Sequence, residues 1–312
     1  MKKARNTLIA GFGDIGQRVA EKLHNSRHYR VTALVRKNST LSRHPEKIRS
    51  FDIRLIRGDL SDVRSLQKLA GLADTVLHFA PPSGTGKYDT HTRNLLAALS
   101  SHSRVRHAQP GMLPRRIVYI STTGVYGNCF GAWIDETRPL NPESTRAIRR
   151  VDAERCLRKW GRLHRVSITI LRAPGIYAED RLPLERLKLQ TPTLTQAEDV
   201  FTNHIHADDL ASAVINAMRQ RWPKQYRVFN VVDDSQLRMG DYFDQVADAV
   251  GVKRPPRISR LDAEREIAPK LLSFMRESRR IGNARVKREL KLVLRFPTLA
   301  DVLSSLQATN QT

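Results

Sequence analysis

Gly11-Phe12-Gly13-Asp14-Ile15-Gly16 is a GxGxxG run between a short apolar segment, Asn6–Ala10, and a stretch with Ile15, Val19, Ala20 and Leu23 at helical spacing. The first glycine permits a tight turn, the second lets the backbone approach a pyrophosphate, and the third lets helix and strand pack closely. A helix starting there aims free amides at phosphates. The run therefore predicts a dinucleotide site made by Gly11, Phe12, Gly13, Asp14, Ile15 and Gly16; a tight turn without a ligand is the alternative. An NAD site ordinarily ends its second strand with an acid for the ribose hydroxyls. Here Val35 is followed by Arg36-Lys37-Asn38-Ser39. Two cations and a hydroxyl suit a 2′-phosphate, so this reading favours NADP over NAD, with Arg36 and Lys37 as ligands. Asp59-Leu60 stands where a side chain can meet the adenine edge, although Asp59 serves equally as a helix N-cap. Ala80 and Pro81 would run along the cofactor as a stiff wall.

These residues need a scaffold, and the chain supplies one. Val31–Val35, Ile53–Ile56, Thr75–Ala80, Arg116–Ser121, Val166–Leu171 and Tyr226–Val232 read as strands, separated by segments with apolar residues at helical spacing. That alternation predicts an α/β fold, a doubly wound parallel sheet with a small mixed C-terminal lobe. The expected division is a dinucleotide-binding domain over 1–175, with strand 226–232 returning to its sheet. The smaller substrate lobe would comprise 176–225 and 233–312. Helices are expected over Ser144–Trp160, Asp208–Met218 and Leu237–Val250.

The 312 residues carry 54 Lys and Arg against 31 Asp and Glu, a net charge of +23. Residues 146–165 and 276–295 each hold eight cations and two acids. Solvated Arg-rich helix faces explain this most simply; an anionic small-molecule substrate is next, and nucleic acid, lacking any accompanying motif, is disfavoured. No run of about 18 apolar residues exists, which argues against a membrane span. The start lacks a signal-peptide pattern, so a cytoplasmic location is expected. Two cysteines, Cys129 and Cys156, cannot make a disulfide framework. His204 and His206 lack a third ligand at metal spacing, so no metal site is expected.

Taken together, the glycine turn, Gly58-Asp59-Leu60, Ser121-Thr122-Thr123-Gly124-Val125-Tyr126-Gly127, Asp135-Glu136, Ala153-Glu154, Leu171-Arg172-Ala173-Pro174-Gly175-Ile176-Tyr177, Asn203–Ala211 and Phe229–Asp234 carry a resemblance along almost the whole chain. The chain resembles the extended short-chain dehydrogenase/reductase family, in its nucleotide-sugar epimerase/dehydratase group. The resemblance implies an NAD(P)-dependent oxidoreductase or epimerase that moves hydride to or from a small carbonyl, alcohol or sugar nucleotide. It also implies a homodimer through the helices near Leu95 and Ile148, and Ala173 at the nicotinamide end.

The family's chemistry implies a Ser or Thr that holds the substrate oxygen, a Tyr that exchanges its proton, and a Lys four residues later that lowers the phenol's pKa. Thr122 matches the first. The other two positions hold Arg146 and Arg150. Arg150 can still reach a ribose, but Arg146 cannot serve as acid or base, because its pKa exceeds about 12. No Tyr lies between Tyr126 and Tyr177. Three readings stay open: Tyr126 takes over the proton, Arg146 binds an anionic substrate, or the protein binds NAD(P) without turnover in a regulatory or interaction role.

Overall fold

The computed structural model describes residues 4–24, 26–37, 53–101, 113–220 and 226–310. Seven parallel strands form the central sheet: β1 (Arg5–Ala10), β2 (Tyr29–Val35), β3 (Ile53–Arg57), β4 (Thr75–His78), β5 (Arg116–Thr122), β7 (Ser167–Ala173) and β11 (Tyr226–Asn230). Their order is β11-β7-β5-β4-β1-β2-β3. The direction of winding reverses between β1 and β4, the place where α/β sheets open a crevice at their carboxyl ends.

The strands are apolar along their length because both faces are covered. In β1, Ile9 enters one core cluster while Leu8 and Ala10 enter the other. In β5, Val118 faces the first cluster and Ile117 and Tyr119 the second. The first cluster is closed by the helices Asp14–His24, Ala207–Arg219 and Ala284–Leu290. The second is closed by Thr90–Ser100, Thr145–His164 and the 3-10 turn Val63–Leu69. Leu95 is fully buried in that second core.

Beyond β7 the chain builds a smaller mixed region. Its core gathers Tyr177, Leu187, Leu194, Tyr242, Phe243 and Val246 among others. Short parallel pairs tie it together: β8 (Gly175–Tyr177) with β10 (His204–His206), β9 (Thr193–Leu194) with β12 (Arg257–Ile258), and β6 (Trp133–Ile134) with β13 (Arg280–Ile281). Among the described residues, no helix is long and apolar enough to cross a membrane.

Two helix starts depart from the usual Asp or Asn cap. The helix Ala207–Arg219 is capped by His206, whose Nδ1 accepts from the amide of Asp208. Asp209 instead accepts from the amides of Arg295 and Phe296 at 2.8 and 3.0 Å. Asn283 does stand at a helix start, but its side-chain amide donates to the carbonyls of Val232 and Asp233. Asp209 and Asn283 do not cap because another segment claims the oxygens of the one and the side-chain amide of the other.

Candidate active site

The glycine turn leaves the carboxyl end of β1 and enters the helix Asp14–His24. Each glycine has its own physical reason. Gly11 has φ +104°, and a Cβ there would collide with the amide of Ala80, so only glycine fits. A Cβ at Gly16 would lie 2.7 Å from the carbonyl oxygen of Gly11; helix and turn touch there. At Gly13 nothing lies within 4 Å of a built Cβ. Two glycines are thus required by packing, and the middle one fronts open space beside a helix N-terminus. That cradle fits a dinucleotide pyrophosphate.

Phe12 and Ile15 point into the core, 8% exposed each. Leu60 is buried, and Asp59 accepts from the amide of Ser61 at 2.8 Å. The cap of the following turn is Asp62, not Asp59, through the amide of Arg64. Asp59 thus keeps a carboxylate oxygen near the end of β3. Ala80 is buried and Pro81 is exposed. Arg36 and Lys37 lie exposed just past the end of β2, and Asn38 and Ser39 lie outside the described residues. Exposed cations on a strand end are the ordinary state of Arg and Lys.

A cavity of about 560 Å³ opens at the carboxyl ends of β5 and β7. Thr122, Thr123, Arg146, Pro174, Gly175, Arg181, Arg186, His204, Tyr242 and Arg279 are among the residues that line it. The Oγ1 of Thr122 accepts from the amide of Gly124 at 3.2 Å, which leaves the hydroxyl proton for a substrate oxygen. Arg146 stands in the same wall, its guanidinium 4.7 Å from the Phe274 ring centre. Burial is the main influence holding it below the ordinary guanidinium value; Arg149 and Arg150 act in the same direction and Glu277 opposes them.

Arg150 is anchored. Its Nη1 donates to the hydroxyl of Tyr119 at 2.8 Å and the carbonyl of Ile120 at 2.9 Å, and reaches the carbonyl of Ala80 at 3.5 Å. It therefore joins β5 to the segment after β4, on the side where the cofactor wall was expected. Burial pushes the Tyr119 phenol up to about 12 despite this contact. Ala173 is buried at the end of β7.

Tyr126 is not placed for proton exchange with a substrate. It is 1% exposed, and its hydroxyl donates to Asn230 and accepts from Arg172, both at 2.8 Å. Arg172 in turn holds Glu154 at 2.7 and 3.1 Å, and Glu154 accepts from Ser121 at 2.6 Å. Burial raises the Tyr126 phenol, against the pull of Arg172. The expected role is corrected on geometry: Tyr126 does not line the cavity and belongs to a sealed polar network. His78 is likewise a core residue, its Nε2 2.8 Å from the Thr92 hydroxyl.

The structure adds wall residues that spacing did not reveal. Arg186 stacks on Phe243 at 3.9 Å and donates to the carbonyl of Pro192. Its Nε has no partner, and burial lowers it to about 10. Among the described residues neither Arg186 nor Arg146 makes an ion pair with a carboxylate. Arg279, by contrast, is neutralised by Glu277 at 2.7 Å. Arg280 packs over Trp133 and Phe201. His204 stacks on Tyr242 at 4.0 Å, and loss of water pushes its imidazole down to about 3; it is neutral at pH 7. No cluster of three or more metal-ligating side chains occurs among the described residues. The one signal for Arg186 in the sequence was a cation beside Leu184 and Leu187 in a segment without regular periodicity.

A sheet with its crevice at the reversal point, a glycine cradle, and a polar cavity beside it define a dinucleotide-dependent α/β enzyme. Residues 7–231 match the NAD dependent epimerase/dehydratase family, and the chain belongs to that family. Among curated proteins it is 29% identical over 228 residues to a dTDP-glucose 4,6-dehydratase of Mycobacterium tuberculosis, covering 64% of this chain and 67% of that one. A functionally unknown conserved protein from Silicibacter pomeroyi shares the fold over 99% of this chain and 100% of its own, with TM-score 0.75 and 26% identity. UDP-glucuronic acid 4-epimerase from Bacillus cereus, solved with NAD, matches over 96% of each chain with TM-score 0.74 and 16% identity. Family membership makes the chain an enzyme rather than a binding protein without turnover. It also corrects the expectation of NADP: the family is NAD dependent, and the Bacillus cereus relative in fold holds NAD. Arg36 and Lys37 misled because cations after β2 were read as a phosphate site when they are simply exposed.

Proposed function

We propose that the protein is an NAD-dependent oxidoreductase or epimerase whose substrate is an anionic sugar nucleotide, bound in the cavity at the ends of β5 and β7. The observation that carries this reading is the pair Arg146 and Arg186: two guanidiniums in one wall, neither in an ion pair with a carboxylate among the described residues. Partly desolvated cations without counter-ions are costly unless an anion completes them. A diphosphate offers oxygens in the planar geometry guanidinium prefers. The rings of Phe201, Tyr242, Phe243 and Phe274 in the same cavity give an apolar face to a base or sugar. The dTDP- and UDP-sugar relatives agree with that chemistry.

NAD, when bound, supplies the hydride acceptor and donor. Around it, Gly13 and the helix N-terminus take the pyrophosphate, Asp59 and Leu60 border the adenine, and Ala80, Pro81, Arg150 and Ala173 form the wall on the nicotinamide side. Thr122 orients the substrate oxygen by donating its hydroxyl proton. Arg146, at the place of the family's phenol, holds negative charge on the substrate and takes no proton. Binding of UDP and dTDP to the purified protein, followed calorimetrically, tests this. Affinity for both that falls about tenfold or more in Arg146→Gln and Arg186→Gln supports it. UDP and dTDP binding that ignores both arginines refutes the anionic-substrate reading.

A further inference from the structure

Asp14 is the first residue of the helix Asp14–His24, one position after the open cradle at Gly13. An acid there suits the helix dipole but repels an incoming pyrophosphate. The structure neutralises it with two arginines. Its Oδ1 accepts from Arg18 at 3.1 Å and its Oδ2 from Arg181 at 2.5 Å. The two cations are differently committed. Arg18 also binds Asp208 at 2.8 Å and Asp180 at 3.2 Å, so it is locked among three acids. Arg181 pairs with Asp14 alone among the described carboxylates, and its side chain is 29% exposed. It comes from the short 3-10 turn Glu179–Arg181 in the smaller lobe, and it also lines the substrate cavity. One guanidinium therefore spans the boundary between the glycine turn and the cavity.

We propose that Arg181 is a ligand of the dinucleotide's pyrophosphate, parked on Asp14 in the free protein and shared with the phosphates when the dinucleotide binds; this rests on the reading of the glycine turn as the NAD site. Its charge offsets the repulsion that Asp14 creates at the cradle. It also makes the smaller lobe a participant in cofactor binding, since the turn that carries Arg181 follows β8. Arg18 cannot do the same without releasing Asp180 and Asp208.

The test is titration of the purified full chain with NADH, with ADP-ribose and with UDP, for the unaltered protein and for Arg181→Gln, Arg181→Lys and Asp14→Asn. Melting of each ligand-free variant reports the fold. Arg181→Gln is expected to weaken NADH and ADP-ribose about tenfold, the loss of one charge-assisted contact. Arg181→Lys restores part of that. Asp14→Asn tightens both by several-fold, a gain that a damaged fold cannot produce. UDP affinity moves much less than NADH affinity in Arg181→Gln. If Arg181→Gln and Asp14→Asn leave NADH and ADP-ribose affinity unchanged, the proposal is wrong while the NAD site stands. If Arg181→Gln weakens UDP but not NADH, Arg181 belongs to the substrate's phosphates instead. If the unaltered protein binds neither NADH nor ADP-ribose, the NAD reading of the turn falls, and this proposal with it.

Discussion

Replacing Gly13 with alanine separates the cradle from the fold. The added Cβ meets no atom within 4 Å, and the backbone there is not in the left-handed region. Gly13 is also the residue whose carbonyl accepts from Gln17, 2.9 Å away, so it sits at the helix N-cap. Exchanging glycine for alanine at an N-cap costs about 1 kcal/mol or less. For a chain of this size that lowers Tm by only about 1–2 °C. The methyl group fills the space a phosphate oxygen must enter to reach the turn amides. Losing one such charge-assisted hydrogen bond costs about 1.5–3 kcal/mol, which raises the Kd for NADH about ten- to hundredfold. Melting followed by circular dichroism gives the first number, and a titration of nicotinamide fluorescence the second. Gly16→Ala is the contrast, because its Cβ would press on the Gly11 carbonyl and on Ile9; it loses stability and binding together. Normal NADH affinity in a well-folded Gly13→Ala protein would refute the cradle.

Tyr126→Phe leaves Arg172 and Asn230 each short of a buried partner, so urea unfolding shows a loss of about 1–3 kcal/mol while NADH affinity stays as it was; a selective loss of turnover at unchanged stability would restore Tyr126 to the chemistry. Arg186→Met removes a cation that no carboxylate balances, so Tm holds or rises while UDP binding weakens about tenfold; a large drop in Tm would mean the guanidinium is structural. Asp233, beside Tyr177, is pushed up to about 7, mainly by burial. Its folded state holds the proton more tightly than the unfolded chain, whose carboxyl titrates near 3.8. The group therefore contributes stability at low pH that is lost as pH rises from about 4 through about 7, a change of order 4 kcal/mol. Unfolding measured across that range in the unaltered protein and in Asp233→Asn checks it, and identical slopes would sink it.

The sheet was legible because both its faces are covered. Asn6–Ala10 and Arg116–Ser121 are apolar runs with few alternatives, and they lie within β1 and β5. The helix expected over Ser144–Trp160 runs over Thr145–His164, with Ser144 as its cap. Below about four residues a strand carries no periodicity, so β6, β8, β9, β10, β12 and β13 were invisible, and with them the walls of the cavity. His204 and Tyr242 illustrate the point: they are 38 positions apart in the chain, and only tertiary packing makes them a stack. Thr122 could be placed from its position after an evident strand. Arg186 could not, since a partly buried cation and a surface cation look alike in sequence. Tyr126 was misplaced for the opposite reason, because its network draws on β5, β7, β11 and the helix Thr145–His164, and no local pattern announces such a convergence.

Every ladder between the named strands is parallel; the single antiparallel contact among the described residues is the isolated bridge of Phe201 with Arg238. Among the described residues there is no hairpin with which folding can begin. Each pairing must close a long loop before any ladder bond forms, which makes the search slow and leaves strand edges uncovered meanwhile. The last closure, Tyr226 with Ile168, is among the longest in the sheet, second only to that of Thr7 with Thr75. On the ribosome, β7 therefore emerges and waits with one edge bare until β11 is made. Refolding in vitro is expected to be slow and to lose yield as protein concentration rises, with β7 as the edge through which copies associate.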